Sequence, residues 1–222
     1  MSITTYPEFV ELVNQYKIFP FSDFIPDCPS LTSLSVPDNW HTDTELDPWL
    51  WRIKIVKEEH AAYGKFFGAK GCFISIDWYP RLQLLLSQGK SVEERYSDGL
   101  LSPHARNVYQ IVQQVGHIDA RNLRKESGLT AKEQKKDYDR ALVELQNFGD
   151  IVITGAQESS FEGGWSSMCY ESSEYWLQTT LNKNMNSAKD LAEAKEFVKA
   201  ELPEIFSAKG MKYLDKKLQL DL

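Results

Sequence analysis

The 222-residue chain carries 25 Lys and Arg against 32 Asp and Glu, a formal charge of −7. Its apolar content of 42% and charged content of 26% are those of a globular protein and exclude wholesale disorder. No apolar run reaches the roughly 18–20 residues that cross a bilayer, and the start, Met1-Ser2-Ile3-Thr4-Thr5-Tyr6, has no basic stretch ahead of an apolar core, so neither a membrane span nor a signal peptide is expected. Cys28, Cys72 and Cys169 form no Cys-x-x-Cys pair and read as reduced thiols of a cytoplasmic protein. The acidic balance counts against a strong grip on duplex phosphate, because each such contact wants a Lys or Arg, but it leaves room for a local basic face.

The first helix opens at a capping box, Thr5-x-x-Glu8, with Pro7 in its first turn and Tyr6, Phe9, Val10, Val13 and Tyr16 at helical spacing. Residues 19–38 carry Pro20, Pro26, Pro29 and Pro37, and their Phe19, Phe21, Phe24 and Ile25 suit an ordered loop better than a linker. Asp47-Pro48 is an N-cap followed by proline at N1. Residues 51–55 nonetheless alternate as a strand would, so helix and strand both stay open there. Residues 63–67 and 72–76 read as strands joined by the four-residue loop Gly68-Ala69-Lys70-Gly71. Pro80 starts a helix with Leu82, Leu85 and Leu86 inward, and Ser91-x-x-Glu94 boxes a short one that stops at Gly99.

From Ser102 the pattern sharpens. Ser102 caps a helix with Pro103 at N1 and Val108, Ile111, Val112 and Val115 on one face, closed by Gly116. Asp119 caps a second helix that ends at Gly128, and Thr130-x-x-Glu133 caps a third over about residues 131–148 with Tyr138, Ala141, Leu142 and Leu145 inward. Ile151-Val152-Ile153 is then a buried strand, and after Gly155, Gly163 and Gly164 a second strand runs through Met168, Tyr170, Tyr175 and Leu177. Helix, helix, turn, helix, hairpin is the winged helix-turn-helix order. Ser187 caps a further helix with Ala188, Leu191, Ala194 and Val198 inward, Pro203 breaks it, and a terminal helix follows. The expected fold is therefore α+β and mostly helical. Residues 1–100 form a helix-plus-hairpin region that admits a degenerate second winged helix, 101–182 form the winged helix, and 183–222 form a helical segment that covers the module or joins a protein partner.

In a winged helix the third helix lies in the major groove. Here it offers Lys132, Lys135, Lys136 and Arg140 among Glu133, Asp137, Asp139 and Glu144, either for phosphates or as a solvated face with internal ion pairs. The hairpin is acidic instead: residues 151–182 hold no Lys or Arg but include Glu158, Glu162, Glu171 and Glu174, which phosphate would repel. In Trp40-His41-Thr42-Asp43-Thr44-Glu45-Leu46-Asp47-Pro48-Trp49, an extended backbone would put His41, Asp43, Glu45 and Asp47 on one face. That set suits a divalent cation, a general base, or a plain acidic loop anchored by tryptophans. Lys65, between aromatics in Tyr63-Gly64-Lys65-Phe66-Phe67, suits a nucleobase and its phosphate or a structural hairpin. His60, His104 and His117 show no ligand spacing, and no Gly-rich phosphate loop or Cys/His metal pattern is present, so no cofactor or metal is expected.

Trp40-His41-Thr42, Asp47-Pro48-Trp49-x-Trp51, Ala62-Tyr63-Gly64-Lys65-Phe66-Phe67, Cys72-Phe73-Ile74-Ser75 and the module from Ser102 together resemble a bacterial family related to the AlkZ-type DNA glycosylases. The resemblance implies winged-helix architecture over most of the chain and contact with DNA, the relatives being enzymes that excise damaged or crosslinked bases. Those glycosylases act through Gln-x-Gln or Gln-x-Asp early in the fold, a pattern that occurs here only as Gln219-Leu220-Asp221. Three functions stay open. The leading one is a DNA-binding winged-helix protein related to repair. The others are an active base-excising enzyme using Asp43, Glu45 or Asp47, and a protein-interaction module with an acidic wing and C-terminal helices that bind a partner.

Overall fold

A computed structural model describes residues 2–158, 166–179 and 190–221. One succession of elements runs twice. The first pass is α1 (Tyr6–Tyr16), β1 (Ile18–Pro20), α2 (Leu31–Leu34), α3 (Pro48–Lys57), β2 (Ala61–Gly64), β3 (Cys72–Ser75) and α4 (Tyr79–Ser87). After the short α5 (Val92–Ser97) the second pass is α6 (Pro103–Val115), β4 (Ile118–Asp119), α7 (Ala120–Glu126), α8 (Lys135–Asn147), β5 (Ile151–Gln157), β6 (Ser167–Ser172) and α9 (Ser173–Thr179). α10 (Leu191–Glu201) and α11 (Ala208–Leu218) close the chain. Both sheets are antiparallel with the same strand order, β1-β3-β2 and β4-β6-β5. The fold is α+β and mostly helical, as the sequence led us to expect.

The repeat extends to single backbone contacts. α3 leaves through Glu58, Glu59 (φ 59°) and His60 before β2, and α8 leaves through Phe148, Gly149 (φ 68°) and Asp150 before β5. A left-handed residue at this place turns the chain from helix to strand, and glycine takes it without steric cost. The His60 amide donates to Ile55 O at 3.0 Å and the Asp150 amide to Leu145 O at 2.9 Å. Their carbonyls accept from Ile76 N at 3.1 Å and Ser173 N at 2.8 Å, so each pass ties its third helix to the end of its last strand in the same way.

Several expectations need correction. Residues 51–55 are helical, because the Asp47 cap and Pro48 start α3 and Trp51, Ile55 and Val56 then fall on its buried side. The third helix begins at Lys135, not near 131: Arg124 donates to the carbonyls of Leu129, Thr130 and Ala131, which holds 129–131 as a turn, and Gln134 is the N-cap. Its inward residues Tyr138, Ala141, Leu142 and Leu145 are buried as expected. Tyr175 and Leu177 belong to helix α9, since β6 ends at Ser172 and Trp176 and Leu177 pack inward at helical spacing. β2 stops at Gly64, so the first hairpin loop spans 65–71, with Phe66 and Phe67 folded into the core. Gly163, Gly164, Glu162, Ser187 and Ala188 lie outside the described residues, and the described part of α10 is capped by Asp190.

α10 and α11 use their apolar faces inside the molecule. Phe197 meets Trp78 at 5.1 Å and carries the Arg81 guanidinium at 4.3 Å, and Tyr213 donates to Phe67 O at 2.9 Å. Arg95 joins α5 to the end of α8. It is 1% exposed, bonds the carbonyls of Ser87 and Lys90, lies over the Phe148 ring and pairs with Asp150. Burial raises the Asp150 carboxyl to about 6, and the attraction of Arg95 offsets only part of that rise. Removing one partner of a buried pair strands the other charge, so Arg95→Met should cost about 3–5 kcal/mol in urea unfolding at pH 7. A carboxyl raised from its ordinary 3.8 to about 6 stabilises the fold below pH 3.8, and that contribution is lost as pH rises through 6. Without Arg95 the carboxyl moves higher still, so the Met variant should lose stability over a higher pH range than the natural protein.

Candidate nucleic-acid interface

The exposed side of α8 assembles from the turn upward. Arg124 fixes the turn that carries Lys132, and the buried spacing of Tyr138, Leu142 and Leu145 leaves Lys135, Lys136, Asp139 and Arg140 in solvent. Lys135 pairs with Asp139 one turn on, while Lys132, Lys136 and Arg140 have no ion pair among the described residues. One of the four cations is thus paired along the helix, and the other three are exposed with no ion pair among the described residues.

Lys65 reaches the same helix by a route no local pattern announces. Gln146 and Asn147, the last two residues of α8, hold the first hairpin loop through their amides. Gln146 Oε1 accepts from Lys65 N at 3.0 Å, and Asn147 Nδ2 donates to Lys65 O at 2.9 Å and Gly68 O at 3.1 Å. Half-buried Lys65 thus sits at the C-terminal end of the helix, whose face runs Lys136, Arg140, Val143, Asn147 at spacings of three and four. Seven residues of rise separate Arg140 from Asn147, roughly 10 Å. A stripe of that length spans several phosphates, spaced about 1.7 Å per charge along a duplex axis.

Two of the acids counted against the hairpin stand off its exposed face. Glu171 is buried and faces His117 Nδ1 at 2.8 Å, and Glu174 lies on α9, off the hairpin. Glu158 remains exposed.

The loop at 40–49 is not extended. His41 (φ 60°) and Asp43 (φ 54°) are left-handed, so the alternating face does not form. Asp47 is buried with both oxygens engaged, Oδ1 by Trp49 N at 2.9 Å and Oδ2 by Asp43 N at 3.2 Å. Asp43 and Glu45 project into solvent, and Trp51 Nε1 donates to Glu45 O at 2.8 Å. Trp40 and Trp49 pack on Phe21, and His41 lies 5.2 Å from the Trp49 ring. Among the described residues no three His, Cys, Asp or Glu side chains gather as metal ligands.

A family model described as AlkZ related matches residues 3–219. The chain belongs to the AlkZ-related family. No curated protein and no solved structure matches it. In this AlkZ-related chain the single Gln-x-Asp match closes the last helix: Gln219 is its left-handed C-cap, Leu220 is buried, and Asp221 pairs with Lys195 at 3.0 Å. Sequence reasoning missed Gln146 and Asn147. Gln146 did leave a trace, an amide four residues after Leu142 on the buried side of an amphipathic helix, where a polar group must find a partner.

The engaged Asp47 and its exposed neighbours should separate in stability measurements. Asp47→Ala removes a buried cap and should lower stability by about 1–2 kcal/mol. Asp43→Asn, which keeps a residue suited to the left-handed backbone, and Glu45→Ala should each stay within about 0.5 kcal/mol of the parent by thermal or urea unfolding.

Proposed function

We propose that this AlkZ-related protein is a tandem winged-helix protein that binds duplex DNA, with α8 as the element presented to the major groove. Family membership supports a link to DNA-repair glycosylases. The order helix, strand, helix, helix, strand, strand, with the first strand paired to the last, supports a winged helix in each pass. The observation that carries the reading is the outward basic stripe of the second pass, Lys132, Lys136 and Arg140, continued by Lys65 from the first. The two third helices differ in their neighbours: α3 lies against the β5–β6 hairpin of the other pass across a groove, whereas the exposed side of α8 carries the basic stripe.

Contacts with phosphate release counterions, so affinity should fall steeply with salt, by a log–log slope of about −0.9 for each phosphate neutralised. In fluorescence anisotropy with a duplex at low salt, the Lys132→Ala/Lys136→Ala/Arg140→Ala protein should bind at least tenfold more weakly. Its salt slope should be smaller by about two to three. Equal affinity in the variant would move the interface elsewhere, and failure of the natural protein to bind at about 50 mM salt would remove the DNA reading.

Within this reading the carboxylates left for base excision are Asp43 and Glu45, because the oxygens of Asp47 are committed to the loop backbone. Release of base from alkylated or crosslinked duplex should fall in Asp43→Asn or Glu45→Gln while duplex binding is retained. Unchanged release in both variants would place the chemistry outside this loop.

A further inference from the structure

A groove of 390 Å³ lies where the two passes meet, between the outer side of α3 and the β5–β6 hairpin. Trp49, Arg52, Lys54 and Lys57 line one wall, with Ala156 and Glu158 on the other. Arg52 is the unusual member. It is only 3% exposed, yet no carboxylate lies within ion-pair distance of it among the described residues. Burial disfavours its charge, and the attraction of Asp47, which lies beyond ion-pair distance and is itself held by the amides of Trp49 and Asp43, offsets only part of that cost. Its guanidinium rests 3.6 Å above the Trp49 ring, one terminal nitrogen donates to the Met168 sulfur at 3.4 Å, and Nε has no partner.

A buried cation with no carboxylate in contact is costly, and an aromatic face and a thioether sulfur return only part of its lost hydration. Arginine that serves structure alone is ordinarily partnered, as Arg95 is by Asp150. The remaining charges do not balance it. Lys54 is paired with Glu58 at 3.8 Å, Lys57 is exposed without an ion pair, and Glu158 stands at the opposite lip. Among the described residues the groove is therefore net positive and walled by a flat ring, with the buried Arg52 in its lining.

We infer that this groove is an oxyanion site, and that Arg52 with Lys57 receives a phosphate group there. The inference rests on the DNA reading only for the source of the phosphate. A free or terminal phosphate and a backbone diester share the chemistry that a planar guanidinium recognises.

The test is thermal unfolding with inorganic phosphate, with a 5′-phosphorylated trinucleotide and with the unphosphorylated trinucleotide, each against chloride of equal ionic strength. The natural protein should rise in Tm with at least one of the three. A rise with the unphosphorylated trinucleotide marks a backbone diester, and a rise confined to the other two marks a terminal or free phosphate. Arg52→Met should unfold, without ligand, at the parent temperature or above it, since an apolar replacement of similar length ends the cost of the buried charge. It should show no ligand-dependent rise. Lys57→Gln, an exposed change that leaves folding intact, should reduce the rise at least twofold and keeps the test open should Arg52→Met fail to fold. No rise in the natural protein, or an undiminished rise in Lys57→Gln or in folded Arg52→Met, overturns the inference. Because α8 is intact in both variants, loss of this site would leave duplex binding through α8 in place, and the two readings fail separately.

Discussion

Gln146 and Asn147 are the hinge on which the surface geometry turns. They end α8, and both spend their side-chain amides on the backbone of the loop at 65–71 in the other pass. Gln146 is 1% exposed, and its Nε2 is taken by Leu142 O at 2.7 Å, so the whole amide is satisfied inside the molecule. A buried amide with one partner removed keeps its desolvation cost, and this fixes the loop to the helix more firmly than its short length suggests. Gly64 belongs to the same constraint. A Cβ there would stand 2.9 Å from the Phe66 ring, so a side chain at this position would displace the buried ring packed beside the Gln146 contact.

With that joint in place the two passes cannot play equal parts. The first packs one side of its third helix inward: α3 lies on α1, β2 and β5, and its Trp51, Arg52, Ile55 and Val56 are buried. Its second helix has shrunk to the four residues of α2. The space is taken by a long loop held on an aromatic cluster in which Phe21 touches Trp40, Trp49, Tyr63 and Phe73. The second pass keeps a full α8 with an open basic side, so the first pass serves as its buttress and contributes one cation, Lys65.

What the sequence made legible was whatever depends on neighbours along the chain. Caps at Asp47, Ser91, Ser102 and Asp119, the proline at N1 of α3 and α6, and the inward spacing of Tyr138, Leu142 and Leu145 all reappear, because capping and helical periodicity are local physics. The errors came where a distant group competes. Thr130 has the right spacing for a cap, but the Arg124 guanidinium takes the carbonyls on which a helix start there would have depended. β1 and β4, with three and two residues, exist only because β3 and β6 offer an edge, so no window along the chain reveals them. The basic stripe was half visible. Its helical members stand in one run, whereas the place of Lys65 beside them depends on a contact across about eighty residues. Arg52 was hidden for a similar reason, since its burial needs Met168 from the other pass.

The central claim is that α8 and the loop carrying Lys65 form one surface, held by the Gln146–Asn147 amides and presented to a duplex. Hydrogen–deuterium exchange with and without a saturating duplex at low salt tests it most directly. Slowed exchange confined to residues 131–147 together with 64–71 is the expected footprint. Slowing at α8 with none at 64–71, or a footprint confined to the α10–α11 side of the molecule, would contradict the account.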